Sequence, residues 1–280
     1  MCKAASFVVT KDKVFWSKKT DSHEDIIREF GLSPEVAGKI CVLRCEIVPP
    51  INERYDLPAK DWIYKTDQQE DKLPEWFDAV DVEKRCRESL SEWIKARVFV
   101  GVECDIHDTV AFAFKASKVA ACGSSKVTAR GSSTVAARDS STVTAWDSST
   151  VTALGSSTVT AWESSTVTAR DSSTVTALGS STVTAWESST VTARDSSTVT
   201  AWDSSTVTAL GSSTVTALGS STVTARDSST VAACKSRATV IFYCAFKCRI
   251  VGERAVIINR IGAKAKTYIG RAKARTVEGK

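Results

Sequence analysis

Proline is scarce and unevenly placed. All five prolines lie before residue 80, so no later segment is barred from a strand ladder by a missing backbone donor. Only two histidines occur, and no Gly-rich phosphate loop, HExxH or GxSxG motif is present. Acid–base machinery is therefore thin, and the expectation is a non-enzyme with no catalytic residue, no metal and no cofactor. No run of roughly 18 uncharged apolar residues exists to cross a membrane as a helix, so no membrane partner is expected. Lys3, Lys11 and Lys13 interrupt the place where a signal peptide would carry its apolar core. Nine cysteines without such a leader point to free thiols in a reducing compartment, and so to a cytoplasmic protein.

What is there divides into three compositions. The 280 residues are 42% apolar and 25% charged, which excludes global disorder. The first 114 residues carry a net charge of −5, residues 115–234 carry 0, and residues 235–280 carry +10. The small overall charge thus conceals an acidic head and a basic tail. The expected domains are an α+β head at 1–106, a repeat at 107–234 and a basic cap at 235–280.

In the head, Phe7–Thr10 and Val14–Trp16 flank Lys11-Asp12-Lys13 as a hairpin. Ser22 before His23-Glu24-Asp25 is an N-cap with acids in the first turn. Ser33-Pro34-Glu35 predicts a second, shorter helix. Ile40–Val48 and Asp61–Thr66 read as strands. From Asp81 to Arg97, Val82, Cys86, Leu90, Trp93 and Ile94 share one helical face. Val98–Glu103 then turns extended.

From Lys115 to Cys234 the chain repeats every eight residues as [D/G/E]-S-S-T-V-T-A-x. Low complexity of this kind also suits disorder. A β-branched triplet at unvarying register, with a turn former every eighth residue, favours a solenoid. Side chains alternate along a strand, so Ser141, Val143 and Ala145 share one face and Thr142, Thr144 and Trp146 the other. Valine and alanine go inward. Such small residues cannot fill a three-sided coil, and close packing then selects two octads, sixteen residues, per coil. The triplet Leu154, Trp162, Arg170 recurs as Leu178, Trp186, Arg194, a period of twenty-four that reads as duplication history. After Cys234 the register slips by one residue at Ala238-Thr239-Val240. The fold class is mainly β: a parallel β-solenoid with an α+β N-terminal cap and a β-rich basic C-terminal cap.

Ser157-Thr158-Val159-Thr160-Ala161 and Ser165-Thr166-Val167-Thr168-Ala169 resemble the paired octads of bacterial ice nucleation proteins, over about 120 of the 280 residues. Where that family stacks tyrosines, this array has Trp, Leu and Arg, with no tyrosine between Tyr64 and Tyr243. The resemblance implies binding of ice or ordered water. Met1-Cys2-Lys3, Asp21-Ser22-His23 and the repeat also resemble repeat proteins of bacteriophages and bacteria. That resemblance implies a phage origin, with the host cytoplasm as location and a host protein as partner.

Candidate chemistry is limited. Cys2 with His23 could form a thiol–base pair. Cys41/Cys45 and Cys244/Cys248 share an i,i+4 spacing, about 13 Å apart on a strand and too far for one ion. Cys122 and Cys234 are small end-coil residues. The outward threonines Thr142, Thr144, Thr150, Thr152, Thr158, Thr160, Thr166, Thr168, Thr174, Thr176, Thr182, Thr184, Thr190, Thr192, Thr198 and Thr200 form two arrays. Trp146, Trp162, Trp186 and Trp202 occupy corners, as inter-coil packing or as an association surface. Arg249, Arg254, Arg260, Lys264, Lys266, Arg271, Lys273 and Arg275 make the tail a solvated charge run or a phosphate-binding strip. The expected function is a non-enzymatic interaction protein that self-associates as a homo-oligomer or binds a host protein. Ice or ordered-water binding by the threonines is the alternative, and nucleic-acid binding by the tail the second.

Overall fold

The chain begins as a small antiparallel sheet. β1 (Ser6–Val9) and β2 (Val14–Phe15) pair as the expected hairpin, with Val9 opposite Val14. Next comes α1 (His23–Glu29), whose N-cap Ser22 accepts from the Asp25 amide. The expected helix after Ser33 does not form. Instead β3 (Glu35–Val36) and β4 (Lys39–Ile40) make a hairpin closed by Ala37 and Gly38, both at positive φ. The segment is largely exposed and too short to recover the cost of helix nucleation, while a two-residue turn with both centres left-handed matches strand twist. β5 (Leu43–Val48) and β6 (Ile63–Thr66) complete the sheet in the order β2-β1-β5-β6. The helix α2 (Ala79–Arg97) follows, capped by Asp78, which accepts from the amides of Val80 and Asp81.

The two helices cover opposite sheet faces. Ile26 and Ile27 of α1 pack on Val8 and Val42. Cys86 of α2 reaches Cys45, which lies opposite Phe7 on the other face. The apolar stripe of α2 runs as expected through Val82, Cys86, Leu90 and Trp93, but its last buried residue is Arg97, not Ile94. Arg97 is fully buried. Its guanidinium grips both carboxylate oxygens of Asp21 at 2.6 Å, donates from Nε to the Val110 carbonyl at 3.0 Å, and lies 4.6 Å from the Trp93 ring centroid. Trp93 in turn meets Trp62, Tyr55 and Phe112, so one charge sits inside an aromatic cluster.

The structure, a computed structural model, describes residues 5–51, 53–234, 237–243, 246–251, 256–259, 266–269 and 275–279. It divides into two units, Met1–Val100 with Asp108–Phe112, and Gly101–His107 with Ala113–Lys280. The second unit is the solenoid. It has about nine turns of about sixteen residues each. One sheet stacks Glu103–His107, Lys118–Cys122, Thr134–Ala137 and every second octad strand up to Thr230–Cys234 and Phe246–Val251. The other stacks Lys126–Ala129, Thr142–Ala145 and the alternate octads to Thr239–Phe242 and Val256–Asn259. Pairing is parallel and in register, Val143 on Val159 and Val151 on Val167. The one-residue slip is present, since Thr222 pairs with Thr239. Both sheets finish on antiparallel strands, Arg275–Gly279 and Lys266–Ile269, which occupy their open edges.

The interior is what the octad predicts. Every inward valine and alanine from Val135 to Ala225 is at 0% exposure, as are the serines from Ser133 to Ser221. Each turn residue ahead of a Ser-Ser pair is left-handed, from Asp139 (φ 55°) to Asp227 (φ 57°), with glycines between. An acidic residue there carries strain of about 1–2 kcal/mol. Its carboxylate offsets part of that by accepting from the turn amide one coil back: Asp171 from Gly155 at 2.8 Å, Asp195 from Gly179 at 3.1 Å, Asp227 from Gly211 at 3.0 Å. Gly219 is different. A Cβ there would lie 2.6 Å from the Asp203 amide nitrogen, so the close approach itself requires glycine.

Truncating Asp21 strands the Arg97 guanidinium in the aromatic cluster. The Asp21→Ala protein is expected to lose about 3–5 kcal/mol in the head, read as a lower denaturation midpoint in near-UV circular dichroism.

Candidate functional site

With the interior closed by small side chains, anything the solenoid does must happen on its outer surface. Two kinds of surface are built by the octad. The first is flat. On one sheet Thr142, Thr158, Thr174 and Thr190 stand in register, beside Thr144, Thr160, Thr176 and Thr192. On the other the rows are Thr150, Thr166, Thr182, Thr198 and Thr152, Thr168, Thr184, Thr200. The first threonine of each strand is exposed and the second half-buried. All sixteen expected threonines therefore fall in unbroken outward rows. Rows are about 7 Å apart along a strand and steps about 4.8 Å between strands.

The second kind of surface lies at the two edges, where the eighth residue of each octad stacks on the octad sixteen residues away. One edge reads Arg130, Trp146, Trp162, Leu178, Arg194, Leu210, Arg226; the other reads Cys122, Arg138, Leu154, Arg170, Trp186, Trp202, Leu218. The four tryptophans consequently form two pairs, one per edge. Trp146 and Trp162 stack at 5.0 Å and 5° between planes, Trp186 and Trp202 at 4.9 Å and 5°. The Arg130 guanidinium lies 5.2 Å from the Trp146 ring centroid, prolonging the first stack by a cation–π contact. Three of the indoles are half-buried by this stacking, and Trp162 is exposed at 36%. Carboxylates border both stacks: Asp147 and Glu163 on the first, Glu187 and Asp203 on the second, all exposed. The alternatives of inter-coil packing and association surface are thus not exclusive. Stacking seals the coil while Trp162 still presents part of its indole to solvent.

The basic tail contributes less. Arg254, Arg260, Lys264, Arg271 and Lys273 lie outside the described residues. Arg249, Lys266 and Arg275 fall on the strands Phe246–Val251, Lys266–Ile269 and Arg275–Gly279. Cys2 and Cys244 are also outside the described residues, so neither the Cys2–His23 pair nor the second cysteine spacing is placed. Cys41 and Cys45 have separate surroundings. Cys41 donates to the Lys39 carbonyl, and Cys45 faces Tyr64 and Cys86.

Two polar clusters in the head were not expected from the sequence. In one, the Cys86 thiol donates to Cys45 Sγ, which lies 3.3 Å from the Tyr64 hydroxyl. That hydrogen bond pulls the Cys45 thiol below its ordinary range against the effect of burial, and it joins burial in pushing Cys86 up. Burial, with Cys45 beside it, pushes Tyr64 up as well. In the other, His23 lies between the Cys45 carbonyl and Asp67, with Glu46 adjacent. The signal for both is strand alternation on β5, but it can be read only once β5 is known to lie between β1 and β6. Among the described residues no helix is long and apolar enough to cross a membrane.

If the paired indoles hold neighbouring coils together, Trp146→Ala and Trp162→Ala will not be additive. A double-mutant cycle on solenoid unfolding is expected to give a coupling of about 1 kcal/mol. The comparisons add no relative, since no protein-family model, curated protein or solved structure matches the chain.

Proposed function

We propose that this chain is a non-enzymatic assembly module that meets a second copy of itself, or a host protein, through the edges of its solenoid. The observation that carries the reading is the two stacked tryptophan pairs, Trp146–Trp162 and Trp186–Trp202, displayed on opposite edges. Tryptophan concentrates binding energy where a rigid aromatic face can be desolvated. A stacked pair is already ordered, so little side-chain entropy is lost on contact. The mix of arginine, leucine and carboxylate around each pair suits a partner of the same composition, which a second copy supplies. The opposite net charges of head and tail favour the same kind of contact.

A second reading is supported by the threonine rows. Their in-register repetition on two flat faces offers a lattice of hydroxyl and methyl groups to ice or ordered water. Nucleic-acid binding through the tail rests on the charge of residues 235–280 alone.

Light scattering coupled to size exclusion separates the first two readings. Under the assembly reading the protein forms a discrete oligomer that dissociates in Trp146→Ala/Trp162→Ala or in Trp186→Ala/Trp202→Ala. A monomer at every concentration and salt level would remove self-association. Under the ice reading, replacing Thr158, Thr160, Thr166 and Thr168 by lysine abolishes ice-growth inhibition and droplet-freezing activity and leaves the oligomer intact.

A further inference from the structure

The head contains a buried imidazole grouped with two carboxylates. His23 is 1% exposed and opens α1. Its Nε2 lies 3.0 Å from the Cys45 carbonyl oxygen. A carbonyl has no proton to give, so Nε2 carries the ring hydrogen and donates it. Nδ1 lies 3.3 Å from Asp67 Oδ2. Either a ring proton or a metal ion can occupy that contact. The Glu46 carboxylate completes the group, with all three donor atoms within 4.8 Å of one another.

We propose that His23 Nδ1, Asp67 and Glu46 bind a divalent first-row cation, with Zn²⁺ the best match to the donor set. One imidazole and two carboxylates neutralise a doubly charged ion and suit its borderline softness. Zinc bonds of about 2.0–2.2 Å in tetrahedral array put neighbouring donors about 3.4 Å apart. The His23–Asp67 separation is already there, and a Glu46 carboxylate oxygen lies within 4.8 Å of both. The Cys45 carbonyl supplies the outer hydrogen bond that fixes the tautomer and orientation of a metal-bound histidine. Asp67 is held in place, because its amide donates to the Arg44 carbonyl at 2.8 Å and the Gln68 side chain accepts from the Arg44 amide at 3.2 Å. The Asp67 side chain is 53% exposed, so a fourth position opens to water. The donors come from the start of α1, the middle of β5 and the residue after β6. One ion would therefore clip three elements that are far apart in the chain.

The test is titration of the full chain, stripped with chelator, with Co²⁺ and then Zn²⁺, followed by calorimetry and visible absorption. One equivalent of Co²⁺ is expected, giving d–d bands without a thiolate charge-transfer band, and Zn²⁺ is expected to displace it. Affinity falls by about tenfold or more in Asp67→Asn and in Glu46→Gln, on the scale at which loss of ligand support weakens metal sites. Both variants keep the wild-type far-UV circular dichroism, because each is isosteric; His23→Gln is the stronger but more disruptive variant. Absence of binding overturns the proposal. So does binding unchanged in both carboxamide variants, or a charge-transfer band that assigns the metal to cysteines. Nitrogen-15 spectra with both His23 ring nitrogens protonated under excess Zn²⁺ would show that a ring proton occupies the contact, and would overturn it too.

Discussion

Two sheets can stand face to face only if the side chains between them fill the gap. In this solenoid one valine, one alanine and one serine per octad do so. The other features follow from that. Small inward residues set the coil at two octads. A two-octad coil has two flat faces and two edges, so the remaining five positions have fixed places: two threonines on the faces, and the turn former, the first serine and the variable residue at the edges. The left-handed turn is the strained element. It is tolerated because acidic turn side chains such as Asp171 and Asp195 reach the amide of the turn below, so the same residue that bends the chain also ties successive coils together.

The solenoid was legible because a periodic sequence states its own environment many times. The inward register of Val143 and Ala145, the sixteen-residue coil and the slip before Thr239 all follow from residue size and spacing. Which corner residues meet follows from the same coil size. Trp146 and Trp162 are two octads apart and stack, whereas Trp162 and Trp186 are three apart and end on opposite edges. Only the coil size decides that.

The head was less legible. Its elements are aperiodic and its decisive contacts span long separations. Arg97 closes α2, and its partner Asp21 lies on the far side of four strands in sequence. The β3–β4 hairpin was missed because Ser-Pro-Glu is a good helix start, while the Ala37-Gly38 turn that overrode it is a weak local signal. The polar clusters around Cys45 depend on a central strand whose side chains and carbonyls face different neighbours. No spacing rule reveals that before the sheet order is known.

The two periods in the repeat are incommensurate by half a coil. A 24-residue block laid on a 16-residue coil advances one and a half coils, so Leu178, Trp186 and Arg194 each land on the edge opposite to Leu154, Trp162 and Arg170. Growth of the array by that block therefore decorates both edges alternately with the same residues, giving the rod two similar sides from one inherited unit. Growth by sixteen would have built a one-sided rod. A polymer with two alike sides can go on adding neighbours laterally, while a one-sided one stops at a pair.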